Sequence, residues 1–131
     1  MQVMPVPFRH PSAEDLYSEA LDLLADGNHA GAAARFRDSL SLDPGFLDAL
    51  HGLVRALQNL GEYDSAIAAA QDLIARDPDD PLGHTSLSIL YQHQGRVPEA
   101  EAEALKAKLL GWKRELREAG ESHGQRSDLP G

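Results

Sequence analysis

The sequence predicts an all-α chain built from three helix–turn–helix repeats, with a last helix longer than the others. Two observations carry this. A set of small and helix-breaking residues recurs at a spacing of 34, and apolar residues follow a helical period throughout, with no alternation of period two. Gly27, Gly61 and Gly95 are 34 apart, as are Ala32, Ala66 and Ala100, and Asp43-Pro44 and Asp77-Pro78. Softer apolar columns keep step: Leu23, Leu57 and Tyr91, then Phe36, Ala70 and Ala104. Two columns are incomplete, since His84 departs from Leu16 and Leu50, and Glu19 departs from Leu53 and Leu87.

Each column has a physical reason. The glycine ends a first helix, where the left-handed backbone conformation is easy only without a side chain. The alanine opens the inward face of a second helix and lets the two helices approach closely. Asp-Pro stops the second helix, because proline cannot continue it and biases its predecessor away from helical angles. First helices are thus expected over 13–26, 46–60 and 81–94, and second helices over 30–42, 64–76 and 98–110. Ser12 with Asp15 reads as a capping box. Asp80 before Pro81 reads as an N-cap followed by proline at the first helical position. Gly111-Trp112 replaces the third Asp-Pro, so the last helix is expected to run on to about Ala119 and to end at Gly120.

The stretch Leu53–Pro78, LVRALQNLGEYDSAIAAAQDLIARDP, resembles the tetratricopeptide repeat family. The resemblance spans about residues 13–112. It implies a right-handed α-solenoid in which the repeats of 13–119 stack on one another. Composition, not the resemblance, gives the ends. Residues 1–12, with Val3, Met4, Val6 and Phe8, read as an extended arm that either packs on the first repeat or a partner or stays a mobile tail, and the polar, glycine-containing 120–131 reads as a flexible tail. The resemblance also implies that the first helices line a concave groove. The sides of those helices not used by the columns are then Glu14, Tyr17, Leu21 and Leu24 in the first repeat. In the second they are Asp48, His51, Arg55, Gln58 and Asn59, and in the third Leu82, Thr85, Ile89, Gln92 and His93. Arg55 offers a bidentate fork for a carboxylate, and Tyr17, Leu21 and Ile89 offer apolar anchors. Some members of the family hold a chaperone's C-terminal carboxylate with lysine, asparagine and arginine side chains. The matching places here are Tyr17, Leu21, Gly52, Leu82 and Ser86, none of them a cation, so that activity is not expected.

Composition limits the remaining options. The chain of 131 residues has no cysteine, which excludes disulfides and thiolate metal sites and suits a reducing compartment. Three prolines among the first eleven residues and no continuous apolar run argue against a secretory segment, and no stretch approaches the ~20 apolar residues that span a bilayer. A cytoplasmic protein is expected. The formal charge is -9, and it is concentrated in the front half: residues 1–46 hold 3 basic and 7 acidic side chains, residues 47–80 hold 2 and 7, and residues 81–131 hold 7 and 7. Such a balance repels phosphate backbones and disfavours nucleic acid.

No phosphate-cradling glycine loop, nucleophile elbow or H-E-x-x-H is present. None of the six histidines pairs with another at i, i+4, and a polar groove explains His51 and His93 without a metal. No cofactor and no catalysis are expected. The leading expectation is an adaptor that binds a segment of another protein, a peptide or a helix, in its groove. The alternative is a structural subunit packed permanently in a larger assembly through its apolar N-terminal arm and its C-terminal flank. Leu105, Leu109, Trp112 and Leu116 form one stripe on the last helix. It either covers the third repeat's own core or offers a flank interface, including one for self-association.

Overall fold

The computed structural model describes residues 10–126, with side chains through Glu121; most of the expected N-terminal arm and the last residues of the tail lie outside the described residues. Six helices follow one another: α1 (Ala13–Ala25), α2 (His29–Leu42), α3 (Leu47–Asn59), α4 (Tyr63–Arg76), α5 (Pro81–His93) and α6 (Val97–Arg126). There is no strand among the described residues. The all-α class and the succession of six helices are as the sequence predicts, with the first five helices starting and ending within one residue of expectation. The last helix runs on past Gly111 as expected, and differs only in its end: it continues through Gly120 to Arg126. A lone glycine costs a helix only about 1 kcal/mol relative to alanine, and strong helix formers on both sides outweigh it.

The three glycines at the repeat spacing do the same job three times. Gly27, Gly61 and Gly95 have φ of 81°, 77° and 73°, and they are the positive-φ residues of the described chain. After each first helix the same pair of hydrogen bonds closes the end. Gly27 N–H donates to Leu24 and Asn28 N–H to Leu23; Gly61 to Gln58 and Glu62 to Leu57; Gly95 to Gln92 and Arg96 to Tyr91. This is a Schellman cap, which satisfies carbonyls the helix cannot use itself. An added Cβ would meet nothing within 4 Å at any of the three. Their role is therefore purely conformational, and Gly61→Ala is expected to cost roughly 1–2 kcal/mol, the penalty of a left-handed L-residue, read as a lower urea midpoint at unchanged slope.

The N-terminal ends are closed as expected. Ser12 Oγ accepts from Asp15 N–H at 3.0 Å while Ser12 N–H donates to Asp15 Oδ2 at 2.9 Å, a complete capping box. Asp80 accepts from Leu82 N–H at 3.0 Å, with Pro81 at the first helical position. Asn28 caps α2 through a 2.9 Å bond from Gly31 N–H.

The chain divides into two compact units between Glu62 and Tyr63. In the first, α2 packs against both α1 and α3, and α1 also touches α3. The alanine column begins here: Ala32 is fully buried. Phe36 on α2 is fully buried too, the outer edge of its ring lying against the place where a Cβ on Gly52 of α3 would stand. Ser39, also buried, donates its hydroxyl to the carbonyl of Ala13 on α1 at 2.7 Å, so its burial leaves no unmet polar group.

In the second unit α5 packs against both α4 and α6. Gly83 of α5 comes so near α4 that its Cβ would stand 2.7 Å from Ile74 Cγ1. Ser88 mirrors Ser39 in kind, donating to the Ala100 carbonyl on α6 at 2.8 Å. His84, the residue that breaks its apolar column, has a partner instead. Its Nδ1 lies 2.6 Å from Glu103 Oε2 on α6, both side chains being only 12–13% exposed, and Lys106 Nζ meets the other carboxylate oxygen at 3.3 Å. A polar pair thus stands where two repeats use leucine. At the α5–α6 turn, Arg96 covers the Tyr91 ring at 4.4 Å and donates to Glu99 at 2.7 Å, which holds the Glu99 carboxyl below its usual range.

Candidate functional site

The helical period determines which side chains share a face. On α3, Asp48, His51, Arg55, Gln58 and Asn59 stand at i, i+3, i+7, i+10 and i+11, within one arc of the helix. The opposite arc, Ala49, Leu50, Leu53, Val54, Ala56 and Leu57, is buried. The polar strip is therefore what α3 has left to present. Asp48, Arg55 and Asn59 are exposed, while His51 and Gln58 are half-buried. Arg55 has no carboxylate partner among the described residues. Asn59 Nδ2 lies 3.4 Å from His29 Nδ1 on α2, so part of its hydrogen-bonding capacity is used inside the unit.

On α1 the same columns hold Tyr17, Leu21 and Leu24. Leu21 is exposed and Leu24 half-buried. Tyr17 is committed to packing: its ring centroid is 5.9 Å from Phe36 and 4.9 Å from Phe46, the N-cap of α3. It ties α1 to α3 more than it waits for a partner. Helical spacing gives no signal for Phe46, an aromatic side chain at the N-cap position that Ser12 and Asp80 hold in the other repeats.

On α5, described by itself, Leu82, Thr85, Ile89, Gln92 and His93 occupy the corresponding columns and are exposed. Thr85 donates its hydroxyl to the Pro81 carbonyl at 3.1 Å. His93 stacks on Tyr63 of α4, with centroids 5.1 Å apart and planes 11° from parallel. Leu82, Ile89 and Gln92 are left to meet solvent or a partner.

The stripe on α6 is exposed rather than folded into the third repeat. Leu105, Leu109, Trp112 and Leu116 are between 51 and 73% exposed. The α6 residues turned toward α5 are others: Ala100 is buried and Glu103 bonds His84.

No group of three or more histidine, aspartate or glutamate side chains among the described residues is placed to hold a metal ion. A small cleft in the second unit, about 30 Å³, is lined by Asp79, Leu110, Lys113, Arg114 and Arg117. It holds about one water and is far below the few hundred Å³ of an ordinary small-molecule site. No described helix is long and apolar enough to cross a membrane.

Comparison with known proteins agrees with this architecture. Among curated sequences the chain is similar to the photosystem I assembly protein Ycf3 of Synechococcus sp. (strain WH7803), 25% identical over 104 residues, covering 77% of this chain and 60% of that protein. The counterpart in strain CC9311 is 24% identical over the same length. The chain thus spans about three fifths of the curated relatives it matches. Among solved structures it is similar to MamA, with a TM-score of 0.76 at 24% identity, covering 79% of this chain and 61% of that one. It is also similar to the type III secretion chaperone SycD of Yersinia enterocolitica in complex with a peptide of the translocator YopD. There the TM-score is 0.73 at 26% identity, with 86% of each chain covered. The tetratricopeptide repeat model matches residues 23–90, just over half of the sequence. With the glycine, alanine and Asp-Pro columns at a spacing of 34 and three identical helix caps, this places the chain in the tetratricopeptide repeat family.

Proposed function

We propose that this chain is a non-catalytic adaptor that takes a segment of another protein on the exposed face of α1 and α3, with Arg55 as the principal anchor. The observation that carries the reading is Arg55 itself: an exposed guanidinium without a carboxylate partner among the described residues, on a helix whose other arc is buried. A guanidinium in that state recognises a carboxylate or an amide of an incoming segment at little cost to the fold. Leu21 on α1 supplies an exposed apolar contact in the same repeat column. That SycD, similar in fold and 26% identical, is found with a peptide of YopD supports peptide capture by this kind of scaffold.

The test compares affinity capture by the wild-type chain with capture by Arg55→Ala combined with Leu21→Ala. Both side chains are exposed, so folding should be unaffected. Truncating a central anchor is expected to weaken capture of a groove-bound partner by ~2 kcal/mol or more, about thirtyfold. Arg35→Ala on α2, where Arg35 pairs with Asp38 at 3.1 Å, serves as the control and should capture as wild type does. Identical capture by all three proteins would remove this face from consideration.

A further inference from the structure

The repeat's own packing does not account for the apolar stripe on α6. Leu105, Leu109, Trp112 and Leu116 stand at i, i+4, i+7 and i+11, within an arc of about 60°, roughly opposite the side that meets α5. One repeat earlier the positions of Leu105 and Leu109 hold Gln71 and Ala75, and two repeats earlier Arg37 and Ser41. Those second helices carry no large apolar side chain at these places. On α6 the stripe is an addition, and all four residues remain more than half exposed.

One of its margins is cationic. Lys106 and Lys113 flank the stripe on one side, with Arg117 beyond them, and Lys108 flanks it on the other, its Nζ 5.4 Å above the Trp112 ring. Lys113, Arg114 and Arg117 converge with Leu110 and Asp79 on the small cleft beside it. From Lys106 to Arg117 there are five basic residues and one acidic one, Glu115, in a chain whose formal charge is -9.

We propose that the outer face of α6 is a second docking surface, for an acidic amphipathic helix of another protein. The apolar ridge of that helix lies along Leu105, Leu109, Trp112 and Leu116, and its carboxylates meet Lys106, Lys113 and Arg117. Charge complementarity selects this occupant. A second copy of α6 fits less well: a two-fold antiparallel pair sets Lys106, Lys113 and Arg117 of both copies along the same side, against one another. An anionic lipid surface would meet the same stripe but would be repelled by the rest of this acidic chain.

Trp112 is the chain's single tryptophan and sits in the stripe, so its emission reports occupancy directly. The probe is a synthetic helical peptide with leucines at i, i+4, i+7 and i+11 flanked by glutamates, titrated into the full chain. The expected result is a saturable blue shift that Leu109→Asp abolishes. The combined variant Lys106→Glu and Lys113→Glu should weaken binding by about tenfold or more, with the salt dependence reduced. All three residues are exposed, and circular dichroism verifies that the variants keep their helix content. The same peptide with lysines for glutamates should give no shift.

Equal binding of the lysine peptide, or no shift with either peptide, would overturn the proposal. A blue shift on concentrating the protein alone, with a doubled mass in analytical ultracentrifugation, would give the face to a second copy instead. A shift with phosphatidylglycerol vesicles but not with the acidic peptide would give it to a membrane.

Discussion

Phe36→Ala is expected to be the most damaging single truncation in the first unit, lowering stability by about 3–5 kcal/mol. The ring is fully buried, reaches α3 at Gly52 and lies 5.9 Å from the Tyr17 ring of α1. Removing it deletes the group that α1, α2 and α3 share. The neighbours cannot close the gap easily, because the facing position on α3 is a glycine with no side chain to move in. Urea unfolding followed by circular dichroism measures the loss. A midpoint shift equivalent to less than 1 kcal/mol would mean that the unit is not organised around this ring.

Gly52→Ala should destabilise for the opposite reason. A Cβ there would clash with the outer edge of the Phe36 ring, and an added methyl in a filled core costs typically about 1–3 kcal/mol. Gly52 lies inside a helix, where alanine is otherwise favoured by about 1 kcal/mol, so propensity alone predicts stabilisation. The sign of the measured change therefore decides between the two effects. The pair also makes a coupling test. Phe36→Leu relieves the clash, so Gly52→Ala should cost much less in the Phe36→Leu background than in the wild type, a non-additivity expected only of residues in contact. Gly61→Ala, whose cost is conformational, should show no such coupling to Phe36.

These two kinds of glycine also show what the sequence carries openly and what it does not. Gly27, Gly61 and Gly95 repeat, and repetition announces a backbone requirement that every hairpin shares. The positive φ and the paired cap bonds follow directly from that requirement. Gly52 does not repeat, since its place in the other repeats is held by Ser18 and Ser86. It answers one large side chain on a neighbouring helix, and a contact that occurs once leaves no period to detect. Ile74 against Gly83 is a second such contact, in a different register. His84 was visible only as a departure from its column. Its partner, Glu103, lies 19 residues away, and nothing local links the two.

The candidate surfaces were legible to a similar depth. Helical spacing is enough to place Asp48, His51, Arg55, Gln58 and Asn59 on one arc. It does not say which of those side chains are already engaged, because that depends on the ends of other helices: His29 for Asn59, Tyr63 for His93, Phe46 for Tyr17. Spacing likewise identifies the stripe on α6 without saying whether it faces inward. The packing of α5 against Ala100 and Glu103 decides that, and turns the stripe outward. Gly120 is expected from the sequence to end the last helix. It lacks the neighbour that Gly27, Gly61 and Gly95 have, a second helix that must turn back immediately, and α6 continues past it.

The most direct measurement of the adaptor reading uses the segment recovered by capture, made as a peptide and titrated into the ¹⁵N-labelled chain. The predicted result is a set of amide shifts centred on Leu21, His51, Arg55 and Gln58, absent when Arg55 and Leu21 are alanine. Shifts confined to α2, or a spectrum unchanged at saturating peptide, would contradict it.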